Sequence, residues 1–494
     1  MKRITLLMLI VPFFTFGQWA QLANDIDGLA VNDQSGFSVD LSADGNILAF
    51  GAPFHDNNGN ESGIVRIFEN QAGFWVQIGT DINGSAALDK SGFSVSLSDD
   101  GNIVAIGAPD KTANGFESGQ VRVFENLAGI WTQIGDEIIG EAISDHSGFS
   151  VSLSGDGTTV VIGGPDNEGP SGGNFGHARV YENLAGTWEQ IGDDIDGETA
   201  EDNSGFSVAI SNDGSIVAIG APFNDGTASD AGQVRVYENQ SGAWEQLGDD
   251  IDGEAMNDRF GTSVELSADG TIVAIGARDN NSIGHVRVLE NQSGNWVQLG
   301  DDIDGESIGD KFGDSLDISS DGTIVAIGAP FSDGAGLEQG RVQIYQNQSN
   351  NWVQIDNNIE GEDMNDRSGV SVALSADGSI AAIGAHLNDG NGANAGHART
   401  FTNSNILDAQ SSEVVRNFLA YPNPASTHFT LNLRRAYPTI EIEIYDALGR
   451  QIQTQSYANT HTMEVSTLNF AKGVYYVKVH TSEDNYTTIK ILKE

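Results

Sequence analysis

The chain has no cysteine among its 494 residues. That excludes a disulfide framework, a cysteine-based catalytic or metal site and a lipid-modified N-terminal cysteine. Basic residues are also scarce: 23 Lys and Arg stand against 70 Asp and Glu, for a net charge of −47. A field of that sign repels nucleic acid and anionic lipid, and attracts cations and basic surfaces. After residue 17 no run is apolar enough to cross a bilayer, so the mature chain is expected to have no transmembrane segment. Helical periodicity is missing as well. So are H-E-x-x-H and the phosphate loop, which leaves no recognisable metalloprotease or nucleotide-phosphate motif.

Repetition takes the place of these features. All seven tryptophans stand at one position of a repeat: Trp19, Trp75, Trp131, Trp188, Trp244, Trp296 and Trp352. A period of this size marks a solenoid, a propeller or an array. Each copy holds four short apolar runs, in the fourth copy Phe206 to Ile210, Ser215 to Gly220, Gln233 to Tyr237 and Trp244 to Leu247. The second is continuously apolar, as in a strand covered on both faces; the third alternates with a period of two. Asp213-Gly214 and its six equivalents read as tight hairpin turns with positive φ at both residues. Four strands repeated seven times predict an all-β, seven-bladed β-propeller of four-stranded blades.

The copies are out of step by one strand. The chain opens on a Trp strand, Gln18 to Leu22, and its seventh copy, ending at Arg399 to Asn403, has no Trp strand of its own. The N-terminal strand is therefore predicted to complete the last blade, because an open ring would leave two unpaired edges.

The expected domain order is a signal peptide at 1–17, the propeller at 18–405, a linker at 406–417 and a small all-β unit at 418–494. Lys2 and Arg3, then the apolar Ile4 to Phe14, give the leader its secretory character. From Gln410 to Glu494 eight basic and eight acidic residues cancel, so the whole −47 belongs to the preceding part.

Residues 18–405 resemble the FG-GAP repeat proteins, the family of the integrin α-subunit propeller. Phe260-Gly261 and Phe312-Gly313 carry the first element; Gly51-Ala52-Pro53, Gly107-Ala108-Pro109, Gly220-Ala221-Pro222 and Gly328-Ala329-Pro330 carry the second. The resemblance implies a seven-bladed propeller used for binding. Many family members place a calcium loop between the two elements, but here that segment shrinks to a turn such as Ser211-Asn212-Asp213-Gly214. One carboxylate in a tight turn cannot supply the six to eight oxygens that calcium needs, so the family's calcium residues do not carry over. The S-x-D-G turn also resembles the hairpin of WD-repeat blades.

Residues 418–494 resemble the C-terminal sorting domain of the type IX secretion system of Bacteroidetes. The match rests on Tyr421-Pro422-Asn423-Pro424, on Ile444 to Arg450, on Lys472 to Val479, and on Lys490 and Lys493. It implies an immunoglobulin-like β-sandwich that engages the secretion machinery and directs export across the outer membrane.

Residues identical in every copy, such as Asp202 and Asn239, or nearly so, such as Arg235, are expected to be structural, since a catalytic group is needed once. The Asp and Asn should hold turn amides and the arginines should pair with carboxylates. Acidic positions that vary are the site candidates. Calcium is the cation expected at Asp196, Asp252 and Asp304, after the Trp strand, and at Asp225, Asp333 and Asp389, in the long loop, if these loops converge. His177, His285 and His397 share one repeat position and read as strand residues. The leading function is a secreted or cell-surface, non-enzymatic adhesion propeller for an extracellular protein or polysaccharide. The alternatives are a polysaccharide lyase or hydrolase using acids in the channel, or a structural surface-matrix component. A blade-unique acid or histidine at the channel would favour the enzyme.

Overall fold

A computed structural model describes residues 19–169, 172–403, 419–421, 427–446, 450–457, 460–468, 470, 472–481 and 486–493. The expected leader, Gln18, the linker, Pro422 to Pro424 and the turn at Ala447 to Gly449 lie outside them. The chain divides into two compact units, residues 1–406 and 407–494.

The first unit is seven consecutive antiparallel sheets. In the fourth blade Ser207–Ile210 is innermost, followed by Ile216–Ala221, Gln233–Asn239 and the outermost Trp244–Gln246. The continuous apolar run is buried along almost its whole length, because neighbouring blades cover both its faces. Seven apolar clusters lie between blades, each drawn from two of them; Val161, Val180 and Ile195 meet Val208, Ile219 and Tyr237 in one. Each fully buried Ile or Val contributes about 2 kcal/mol, so a single blade could not hold its own shape.

The N-terminal strand closes the ring as expected. Ala20–Gln21 and Ile26–Asp27 pair with His397–Thr402, supplying the outer strand of a blade whose other strands come from residues 371–402.

Two local readings change. The segment after each Trp strand, expected as a loop, is a second short strand: Ile251–Asp252 pairs with the start of Gln233–Asn239. The Asp-Gly turn has positive φ only at glycine, Gly214 (φ 73). It is closed by the Gly214 N–H to the Ser211 carbonyl at 2.9 Å. Asp213 serves as an acceptor, taking the Ser215 N–H at 3.0 Å and the Ser211 hydroxyl at 2.8 Å.

The two glycine motifs form one inter-blade contact. A Cβ on Gly220 would lie 2.2 Å from the carbonyl oxygen of Gly261 in the next blade, so only glycine lets the blades approach there. The hydroxyl of Ser207 donates to that same carbonyl at 2.8 Å. Farther out, each blade is tied back to the one before it. Trp244 Nε1 donates to the Ile191 carbonyl at 2.9 Å, and Arg235 Nη2 donates to the Asp196 carbonyl at 2.6 Å.

The repeated Asp and Asn hold turn amides: Asp202 takes the Thr199 N–H at 2.9 Å and Asn239 the Gly242 N–H at 2.7 Å. The repeated arginines grip a backbone carbonyl first. Their carboxylate pairing is looser, at 3.9 Å between Arg235 and Glu198.

Among the described residues, the second unit forms two antiparallel sheets, one of three strands and one of four. Phe429, Leu431 and Val465 from one, and Ile442, Val477 and Val479 from the other, fill a single core.

Candidate functional site

The seven innermost strands surround the propeller axis, and three rings of residues follow one another along them. The first ring lies at the turn end. The N–H of each S-x-D-G turn donates to the carbonyl of the equivalent residue in the next blade: Ala43 to Asp99, Asp99 to Gly155, and so on to Ala376, which donates to Ala43. All seven bonds measure 2.8–3.0 Å. This closed girdle of backbone was not legible in the sequence, because it uses no side chain.

The second ring is the third position of the innermost strand. It is Asp40, Ser96, Ser152, Ala209, Glu265, Asp317 and Ala373 in blade order, and all but Ala209 line a cavity of about 180 Å³. Asp40 and Asp317 each accept two backbone amides. Asp40 takes those of Leu41 at 2.7 Å and Leu97 at 2.6 Å; Asp317 takes those of Ile318 at 2.7 Å and Leu374 at 2.5 Å. One of each pair comes from the following blade, where it is the spare donor of an inner edge. All three carboxyls keep some surface open to the channel yet lie deep in the protein. Burial pushes Asp40 and Asp317 up to about 7. Burial first, and then the charges of Asp317 and Asp40, raise Glu265 well above the ordinary carboxyl range.

The third ring is the residue after the FG-type glycine, at the end that carries the long loops. Blades one to four place Phe37, Phe93, Phe149 and Phe206 there, each part-exposed. Successive rings pack at centroid distances of 4.8, 5.0 and 4.9 Å. Blades five to seven break the arc with Thr262, Asp314 and Val370. Arg278, which replaces the proline of the GAP element, pairs with Asp314; Lys311 pairs with Asp279, and Arg259 lies 3.3 Å from Asp279. Arg259 and Arg367 also lie over Phe223 and Phe331.

The distribution of cations is uneven. Residues 19–403 hold thirteen Lys and Arg. Seven belong to the third strand of a blade, as Arg235 and Arg341 do, and brace neighbouring blades. The other six, Lys90, Lys111, Arg259, Arg278, Lys311 and Arg367, all stand at the long-loop end. Sequence comparison between the copies, position by position, would have shown this break in the pattern; looking for residues common to every copy hid it.

The six expected calcium residues serve the scaffold. Asp225, Asp333 and Asp389 each fold their carboxylate onto an amide five residues on, at 2.8–2.9 Å. Asp196 and Asp252 give their backbone carbonyls to the bracing arginines of the next blade. Asp304 pairs with His285 across two strands. In the fourth blade the long loop does reach the short outer strand, since a Cβ on Gly226 would lie 3.4 Å from Asp252 Oδ1. Among the described residues, the acidic and histidine groups that do converge contain none of the six.

Residues 419–494 match the family described as the secretion system C-terminal sorting domain. No curated protein matches the chain. Among solved structures it is similar to a putative 6-phosphogluconolactonase from Bacteroides uniformis, at 12% identity over 68% of this chain and 88% of that one, TM-score 0.49. It is also similar to the periplasmic gluconolactonase of Pseudomonas aeruginosa, at 15% identity over 66% and 85%, TM-score 0.46. The sorting domain marks the protein for the type IX machinery and for export to the cell surface or the extracellular space. No described helix is long and apolar enough to cross a membrane.

Proposed function

We propose that the protein is a non-enzymatic binding propeller of the FG-GAP kind that takes an acidic polysaccharide at its long-loop mouth, for adhesion outside the cell. One observation carries this reading. The four-phenylalanine arc faces a sector holding Arg259, Arg278 and Lys311, three of the six cations that stand at the long-loop end and not on a bracing strand. Aromatic faces pack against the apolar faces of sugar rings, and guanidinium groups take carboxylates or sulfates in paired hydrogen bonds. Thr262, Asp314 and Val370 break the repeat at one position in three adjacent blades, and Arg259, Arg278 and Lys311 stand near that break, where one ligand could touch them all.

The channel acids favour a second reading, an extracellular lyase or hydrolase, because a carboxyl raised to about 7 suits a general acid. Two features weigh against it. A cavity of about 180 Å³ falls short of the 300–1,000 Å³ or so of ordinary ligand pockets. The two aspartates also already hold two amides each.

The test is a binding array of neutral and acidic glycans and matrix proteins, probed with the full chain with and without calcium. Binding confined to carboxylated or sulfated glycans, weakened by salt, supports the proposal. Binding only to proteins, or turnover of a polysaccharide, overturns it. Self-association without any ligand would point instead to a surface-matrix component.

A further inference from the structure

The first residue of each blade's third strand differs around the ring in a patterned way. In blade six it is Arg341, whose Nη1 donates to Glu306 of the preceding blade's loop and whose Nη2 donates to Asp310, both at 2.6 Å. A built-in cation therefore sits at this position, facing acids at the blade boundary. In blades three, five and seven the same position is His177, His285 and His397, each 1–2% exposed.

Those histidines also face acids, and the nearest cations, Arg179 at 3.6 Å from Glu141 and Arg287 at 3.9 Å from Glu254, stand off from them. Glu141 and Asp194 gather at His177, Glu254 and Asp302 at His285, and Asp25 and Asp27 at His397. In each group one ligand atom per residue lies within 4.8 Å of the others. Nδ1 of His177 is 3.8 Å from Asp194, and Nδ1 of His285 is 3.9 Å from Asp302. Among the described residues, neither ring nitrogen of His177 or His397 has a hydrogen-bond partner, nor does Nε2 of His285. A buried imidazole with unmet nitrogens is costly, yet it recurs in alternate blades. Burial holds His177 and His397 down to about 4, so at neutral pH a proton does not fill the gap and the nitrogen lone pair is available.

We propose that the His177, His285 and His397 pockets are three divalent transition-metal sites, the first two stapling neighbouring blades and the third fastening the N-terminal strand into the last blade. One neutral imidazole with two carboxylates is a donor set for zinc and its neighbours, whereas calcium takes oxygens. Bonds of about 2.0–2.2 Å require the donors to close in from their present spacing. Glu141, 48% exposed, and Asp194, 26% exposed, have the room to turn inward. Two of the ions join two blades: Glu141 follows the second blade's outer strand while His177 and Asp194 belong to the third, and Glu254 stands to His285 and Asp302 in the same way. At His397 the acids come from the N-terminal strand, so that ion clamps the ring closure itself.

The test uses the full chain, stripped with a chelator, then equilibrated with zinc and desalted before its metal content and melting temperature are measured. Three zinc ions per chain are expected, one for each histidine group, with a rise in melting temperature. His177→Gln, His285→Gln and His397→Gln should each remove one ion, and the triple variant all three. Glutamine already occupies this position at Gln120 and Gln233, so the variants keep the fold. His397→Gln should lose the largest part of the zinc-dependent rise. Zinc uptake below one ion per chain, or a triple variant that still binds three, overturns the proposal. So does calcium that raises the melting temperature of the stripped wild type but not of the triple variant.

Discussion

The backbone N–H of Ala376 donates to the carbonyl of Ala43 at 2.8 Å, although 333 residues of sequence separate them. This bond completes the girdle at the turn end, and it joins the seventh blade to the first. At the outer rim the same two blades are held by Trp75 Nε1, which donates to the hydroxyl of Thr400 at 2.9 Å. Closure is therefore made three times over, at the inner turn, along the N-terminal strand and at the rim.

Removing residues 18–27 should be strongly destabilising. It strips the outer edge from His397–Thr402 and exposes the pocket of Ile26, worth about 2 kcal/mol on its own. The measurement is calorimetric melting with light scattering. A lower, broader transition and faster aggregation are expected; an unchanged melting temperature would count against closure by this strand.

Trp188→Phe isolates one inter-blade tie. It keeps most of the apolar ring and removes the bond from Nε1 to the Ile134 carbonyl, 2.9 Å long. A loss of about 1 kcal/mol is expected from urea unfolding. A neutral result would mean that solvent replaces the bond without cost.

The channel acids should make stability fall as pH rises from about 4 to about 7. Folded Asp40 and Asp317 titrate near 7 instead of 3.8, so over that window the folded state holds protons that the unfolded state has lost. Below the window both states are protonated; above it the penalty is constant. The overall negative charge adds a slope of the same sign, so the informative comparison is with Asp40→Asn, Glu265→Gln and Asp317→Asn combined. That variant should show a flatter profile of urea midpoint against pH and be more stable above pH 7. Parallel profiles would place the titration elsewhere.

At the mouth, Phe149→Leu should weaken glycan binding about tenfold, or about 1.4 kcal/mol, with little change in melting temperature. Arg278→Ala and Lys311→Ala should weaken it further and flatten its salt dependence. The readout is titration calorimetry at two salt concentrations. Equal losses for a neutral and an acidic glycan would exclude a charge-reading role for these cations.

Deleting residues 419–494 should leave the propeller folded and stop its export, because the two units have separate cores. Fractionation of the producing cell is the check. The truncated chain is expected inside the outer membrane, and its appearance in the medium would show that another segment carries the export signal.

The order of strands, the blade count and the closing strand were all written in the sequence. They follow from local rules: apolar period, turn chemistry and a repeat offset by one strand. The sorting unit was equally plain, since its motifs lie in sequence order at the end of the chain. The proposed binding surface was not. Phe37, Phe93, Phe149 and Phe206 read as four copies of a repeat residue, and Arg278 as a flaw in a motif. Only the closed ring turns them into neighbours on one mouth. Likewise Glu141 and His177 stand 36 residues apart in different copies. They meet because each blade packs against the one before it. Periodicity determines what a single blade is; contacts between blades arise from packing seven of them around one axis, and no single repeat contains that information.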